Sequence, residues 1–390
     1  TMAKRKPKWL SRNVLSLSGV SFMQDAASEL LYPIMPILLT SILGAPAAIV
    51  GMIEGLAEAT AATMKLVSHR LNQLFSRKSL IGFGYAAAAL GKLIIALAGS
   101  WPVVLLGRMT DRVGKGVRSA PRDALLVEGT DVKHRGRIIG FHRTADTAGA
   151  VVGPILALGL LAIWNDDIHA VLWFALIPAV LSVLLVFVVR DDGTKKLPSL
   201  KTAEAKSAQA LSPKLNRVIG AIAIFSLVNF PDALLLLHVS QIGFSISGVV
   251  GAYLIYNISY AALSLPAGLL ADRFKPQVIF ALGLLCFAVT YVGMGVTDNH
   301  AITLALLVIY GGFAACNDTV GKSWVSKLAP EHQQLKAQAR LQGLSGYSML
   351  IAGAWAGLFW MVGSTTGVLS LVFAGGIAAL VAIFLLANRV

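Results

Sequence analysis

The chain of 390 residues holds two cysteines, Cys286 and Cys316. Two thiols inside apolar runs exclude a disulfide framework and a cysteine-rich metal cluster, and suit small packing residues. Charge is scarce as well: Asp, Glu, Lys and Arg make up 13% of the chain, against 56% hydrophobic residues. That ratio excludes a water-soluble globule and matches a polytopic membrane protein in contact with lipid. Acidic groups are the scarcer sign, 19 against 33 basic ones, which leaves a net charge of +14. No HExxH, GxSxG, paired metal-ligand spacing or phosphate-cradling loop occurs. The reading is therefore no enzyme, no metal, no cofactor and no use of ATP. The basic start leads into a full-length apolar stretch without a small-residue cleavage pattern, so no cleavable signal is expected.

Long apolar runs are what the chain has instead. With about 20 residues needed per crossing, twelve spans are predicted, at 14–41, 45–68, 79–99, 101–124, 137–163, 169–190, 216–239, 246–271, 276–297, 300–326, 338–362 and 366–388. Lys and Arg cluster in alternate loops, from Lys4, Arg5, Lys6 and Lys8 through Arg77 and Lys78 to Arg273 and Lys275, while the other loops have none. Cytoplasmic loops carry that excess. Both termini are then cytoplasmic, and the positive charge is a topology signal with no part for nucleic acid.

Against this background the stretch Leu106 to Asp123 stands out. Arg108, Asp111, Arg112 and Lys115 fall at i, i+3, i+4 and i+7, so a helix displays them on one stripe. Ionisable groups within a membrane face a bundle interior or an aqueous cavity. The stripe reads as a working surface, with an ion-pair knot holding helices in register as the alternative.

The polar segment after Arg190 separates six spans from six, giving an amino-terminal bundle at 1–190, a linker at 191–215 and a second bundle at 216–390. The halves repeat. FMQDA around Asp25 matches NFPDA around Asp232, and DRVGKG from Asp111 matches DTVGKS from Asp318, both at an offset of 207 (232 − 25 and 318 − 111). The second match sets Lys115 against Lys322.

Twelve spans, the 6+6 repeat and the central linker resemble the major facilitator superfamily of secondary transporters over nearly the whole chain. The resemblance implies an all-α membrane protein, two pseudo-symmetric six-helix bundles with a substrate site between them near the midplane. It also implies that the first, fourth, seventh and tenth spans line the cavity, and these carry Asp25, Asp111, Asp232 and Asp318. The family's loop signature G-x-x-x-D-R-x-G-R-R/K is degenerate at HRLNQLFSRK, where His69, Gln73, Leu74 and Ser76 replace its key positions. The second half keeps Asp272 and Arg273 as gating residues. In the fifth span Gly149, Gly153 and Pro154 resemble the G-x-x-x-G-P core of proton-coupled exporters, although Ala157 and Leu158 replace the following glycine pair.

Asp25 and Glu29 stand one turn apart in span one, followed by Tyr32 and Pro33. Two carboxylates there can bind a cation or carry a proton, with Asp25 paired to Arg108 or Arg112 as the bland alternative. Glu54 suits the rim, and Glu58 either the cavity or a neighbouring helix. His142, Arg143 and Asp146 suit a helix entrance. Asp318 and Lys322 can neutralise each other at i, i+4, beside Asn317. Trp324, Trp355 and Trp360 suit stacking walls or packing.

The expected function is a monomeric, proton-coupled transporter in the inner (plasma) membrane, moving a small organic solute by alternating access, with export by antiport first. Uptake of an anionic metabolite or siderophore, and lipid flipping, are the alternatives. Asp25, Glu29, Arg112 and Asp232 are expected to couple and bind, with Arg108, Asp111, Asp318 and Lys322 in the supporting ion network.

Overall fold

The computed structural model describes residues 10–128, 132–191, 210–330 and 333–387. All regular structure among them is helical and follows the twelve predicted spans. Short polar residues start many of the helices. Ser11, Ser76, Ser212 and Ser245 each accept a backbone N–H of the first turn, as do Asp167 and Asn299, satisfying donors that a helix start leaves open.

Among the described residues, eight spans are long and apolar enough to cross a membrane as single helices: the second, third, fifth, sixth, eighth, ninth, eleventh and twelfth. The first, fourth, seventh and tenth fall short, each for a reason in the sequence. The first runs as Arg12–Leu31 and then changes pitch at Tyr32–Ile34, where Pro33 and Pro36 cannot donate to the α ladder, before a π turn at Leu38–Ile42. The fourth, Trp101–Val127, is one long helix crowded with charge. The seventh is broken after Ser226 and restarts as Asp232–Gln241 behind Pro231. The tenth passes from His300–Cys316 through a π turn at Asn317–Gly321 into Lys322–Leu328.

The chain groups into two compact units. One comprises Thr1–Tyr32 and Thr63–Leu200, the other Pro33–Ala62 and Lys201–Val390.

In the first unit the third span, Arg77–Ala96, lies along the fourth. Glycines set their approach: a Cβ on Gly84 would collide with the Gly114 backbone, and one on Gly91 with that of Gly107. Both pairs are seven residues apart along their helices, one matched face against another. In lipid such close backbone approach, with its dispersion contacts, replaces hydrophobic burial as the force that pairs helices.

The second unit has a similar seam. Gly51 and Gly353 touch backbone to backbone, Gly55 meets Leu350, and Gly357 meets Ala48. Its core is aromatic, with Phe225, Phe287, Tyr291, Tyr310 and Phe313 in mutual ring contact.

Candidate functional site

In the first unit the charged stripe divides. Asp111 receives Lys92 Nζ at 3.3 Å and Arg108 at 3.8 Å, and all three side chains are almost fully buried. Arg108 also lies 5.8 Å from the ring centre of Tyr32. These residues therefore take the ion-pair alternative, with Lys92 as the partner that no motif announced. Its signal was a lone lysine in the middle of the third apolar run, since a membrane-buried charge implies a counter-charge. The field at Asp111 also includes Arg112 and Arg118.

Asp25 belongs to a second group. Asp146, Glu29, Lys115 and Arg118 are the charges that bear on it. Lys115 and Arg118 are the bases among them, while Arg108, one of the two partners offered as the alternative for Asp25, approaches Asp111. The glycines of the fifth span bring Asp25 and Glu29 against that span. A Cβ on Gly149 would stand 3.1 Å from the Cβ of Asp25, and one on Gly153 would stand 3.0 Å from the carbonyl carbon of Glu29. Pro154 follows within the helix Val132–Ile163.

His142 was expected at a helix entrance, yet it is buried, 3.4 Å from Ser18 Oγ, 3.5 Å from Ser21 Oγ and 3.6 Å from Asp146. Arg122 donates to Ser21 Oγ at 3.0 Å. Arg118 donates to the Gly84 carbonyl at 3.1 Å and lies 4.3 Å above the Tyr85 ring. A polar track thus runs through the first unit, in which Lys92 and Arg108 meet Asp111, His142 meets Asp146, and Arg118 and Arg122 donate to a carbonyl and a hydroxyl.

In the second unit, Tyr310 donates its hydroxyl to Asp232 Oδ1 at 2.6 Å. The break before Asp232 places this carboxylate on a first turn, where the helix dipole favours negative charge. The three tryptophans are packing residues. Trp355 Nε1 donates to the Leu227 carbonyl, which the broken helix leaves without its usual partner, Trp360 Nε1 donates to Gln241, and Trp324 is buried against Phe280. Behind Tyr310 stand Tyr291 of the ninth span and Tyr256 of the eighth, each in ring contact with it. Glu54 is buried, against the rim expected for it, and Glu58 is half-buried beside Gly346. Arg273 is exposed at the end of the eighth span, Ile246–Arg273, and Asn317 opens the π turn of the tenth. The side chains of Asp272, Asp318 and Lys322 lie outside the described residues.

The arrangement is one of carboxylates, bases and aromatic rings on broken or polar spans, suited to holding and releasing small charged groups. The chain is 28% identical over 361 residues to an uncharacterised MFS-type transporter of Methanocaldococcus jannaschii, covering 90% of this chain and 89% of that protein. It is 23% identical over 339 residues to the multidrug resistance protein MdtH of Proteus mirabilis, covering 85% and 82%. Among solved structures, the nucleoside transporter NupG superposes with a TM-score of 0.77 at 13% identity, covering 96% of this chain and 98% of NupG. The human organic anion transporter MFSD10 superposes with a TM-score of 0.68 at 16% identity, covering 97% and 100%. The sequence pattern of the Major Facilitator Superfamily matches residues 17–259 and 235–390, so this chain is a member of that superfamily of membrane transporters.

Proposed function

We propose that the protein is a proton-coupled exporter of a small organic solute, working by alternating access as a monomer in the inner membrane with both termini cytoplasmic. The observation that carries this reading is the selective weakening of four spans. Among the described residues the first, fourth, seventh and tenth are the ones not both long and apolar enough to cross as one helix, and they bear Asp25, Asp111, Asp232 and Asp318. Helix breaks and intramembrane charge have a cost, and transporters place both at the substrate and ion sites.

Asp25 and Glu29 are the proposed proton carriers, held against the exporter-like glycines of the fifth span, with Asp146 and His142 next in line. Loading a proton on Asp25 weakens its attraction to Lys115 and Arg118 and relieves repulsion from Asp146 and Glu29. That change in pairing biases one packing of the helices over another. The two six-span halves at 1–190 and 216–390, joined by the 191–215 linker, are the proposed moving bodies. MdtH, a multidrug resistance protein by name, supports the outward direction.

The test is transport in proteoliposomes with an imposed pH gradient, using a panel of organic cations, carboxylates and siderophores. A gradient-driven flux that a protonophore abolishes, and that Asp25→Asn removes while solute exchange persists, is the expected result. Flux indifferent to the gradient overturns the coupling.

One observation favours a second reading, uptake of an anion. Four bases, Lys92, Arg112, Arg108 and Arg118, act on the carboxylate of Asp111, a basic cluster of the kind that draws an anionic solute. Flux of carboxylates alone, lost in Arg112→Gln, would replace the first reading with this one.

A further inference from the structure

We propose that Asp232, Tyr256, Tyr260 and Tyr310 form a subsite for an organic cation, a protonated or quaternary amine attached to an aromatic or apolar body. The inference rests on the reading of the chain as a carrier of small organic solutes and names the class that its second unit takes.

The geometry starts at the broken seventh span. Asp232 is half-buried on the turn after Pro231, and the Tyr310 hydroxyl fixes one of its oxygens at 2.6 Å. The Tyr310 ring lies 5.0 Å from that of Tyr256, and Tyr256 stacks on Tyr260 at 6.4 Å with an interplanar angle of 12°. Tyr256 and Tyr260 are one turn apart on the eighth span and both are half-buried. The carboxylate and this tyrosine wall are thus adjacent, connected through a single residue.

Electrostatics selects the ligand. A tyrosine face carries the negative lobe of its quadrupole, and a cation near it is attracted more strongly once desolvated. The Asp232 carboxylate is the charge that acts most strongly on Tyr291 and Tyr310, and tyrosines act on Tyr310 next. Carboxylate and ring faces therefore pull in the same direction, and an anion there would meet repulsion from both. This is the opposite polarity to the surroundings of Asp111 in the first unit.

A second observation points to a ligand with a polar atom. Asn257 is 5% exposed, and its Nδ2 has no hydrogen-bond partner among the described residues. It shares a helical stripe with Tyr253 and Tyr260, at i, i+4 and i+7 from Tyr253. A buried amide donor without a partner is costly in an apolar setting, and a ligand carbonyl or ether oxygen would satisfy it. The subsite then has three parts: a counter-ion, a π wall and one neutral donor.

The experiment measures binding to the purified full-length protein in detergent, by equilibrium dialysis of tetraphenylphosphonium. Tetraphenylborate, the same shape with the opposite charge, is dialysed separately. Saturable binding of the cation and none of the anion is expected. Asp232→Asn should weaken binding at least tenfold. Tyr256→Leu should weaken it at least threefold, whereas Tyr256→Phe, which keeps the ring, should stay within twofold. Thermal unfolding of each variant reports folding, and the half-buried Tyr256 pair decides the matter should Asp232→Asn fail to fold. Equal binding of the borate, no saturable binding of the cation, or unchanged binding in the folded variants overturns the subsite. No gradient is involved, so a protein that binds the cation but shows no gradient-driven flux keeps the subsite and loses proton coupling.

Discussion

Lys92 and Asp111, 19 residues apart in the chain, meet at 3.3 Å inside the first unit, and neither side chain reaches the surface by more than a few percent. Arg108 approaches the same carboxylate at 3.8 Å. Removing the shared acid therefore leaves two buried cations, while removing Lys92 leaves Asp111 with Arg108. Asp111→Asn should destabilise the protein by about 3–5 kcal/mol, the scale for breaking a buried pair, and Lys92→Met by less than half of that. Thermal unfolding in detergent ranks the two, and equal losses would mean that Arg108 contributes nothing to the pairing.

Gly149 has no room for a side chain, since even a Cβ would press on Phe22, Asp25 and Ala26. Gly149→Val should push the fifth span off the first and cost about 1–3 kcal/mol by overpacking. Gly159, two turns beyond Gly153, faces open space, so Gly159→Val is the matched control and should be near neutral. The comparison is read from unfolding temperature and from flux.

Within the second unit, Ala48 and Gly357 are in contact. A Cβ on Gly357 would stand 2.8 Å from the Ala48 backbone, so no side chain fits there without a shift. Gly357→Val should push the helix Gln334–Val362 off Ala48 and cost about 1–3 kcal/mol by overpacking, read from the unfolding temperature. An unchanged unfolding temperature would mean that this contact yields at little cost.

Arg118 combines a hydrogen bond to the Gly84 carbonyl with a face-on contact to Tyr85. A planar guanidinium stacks flat on a ring while its fixed fork donates to a carbonyl, an arrangement that the compact ammonium on its flexible stem does not reproduce. Arg118→Lys should accordingly fail to rescue the loss seen in Arg118→Ala, about 1–3 kcal/mol for a buried donor and its cation–π partner. Full rescue by lysine would reduce the role of Arg118 to its charge.

Much of the architecture was legible because membrane insertion is a matter of composition. Runs of apolar residues placed the spans within a few residues. The first and seventh spans were harder. The restart of the seventh behind Pro231, and the course of the first through a tighter turn into a π turn at Leu38–Ile42, depend on the backbone around their prolines. The candidate site was legible as a set of spans and less so as a set of partners. For Asp25 the sequence offered a pairing with Arg108 or Arg112 as one alternative, while the charges that bear on it include Asp146, Glu29, Lys115 and Arg118. Tyr310 gave no sign of its bond to Asp232, 78 residues away.

Hydrophobic run length, charge placement between the runs and the repeat at an offset of 207 determined by themselves twelve apolar spans in two related halves, with an acid on each of the first, fourth, seventh and tenth. Periodicity identifies the face of a helix on which a residue lies. It does not say which helix is opposite, at what height, or how closely the backbones approach. Those depend on glycine contacts and helix breaks summed over the whole fold, and they alone decided that Lys92 meets Asp111, that Gly149 backs Asp25, and that Tyr310 holds Asp232.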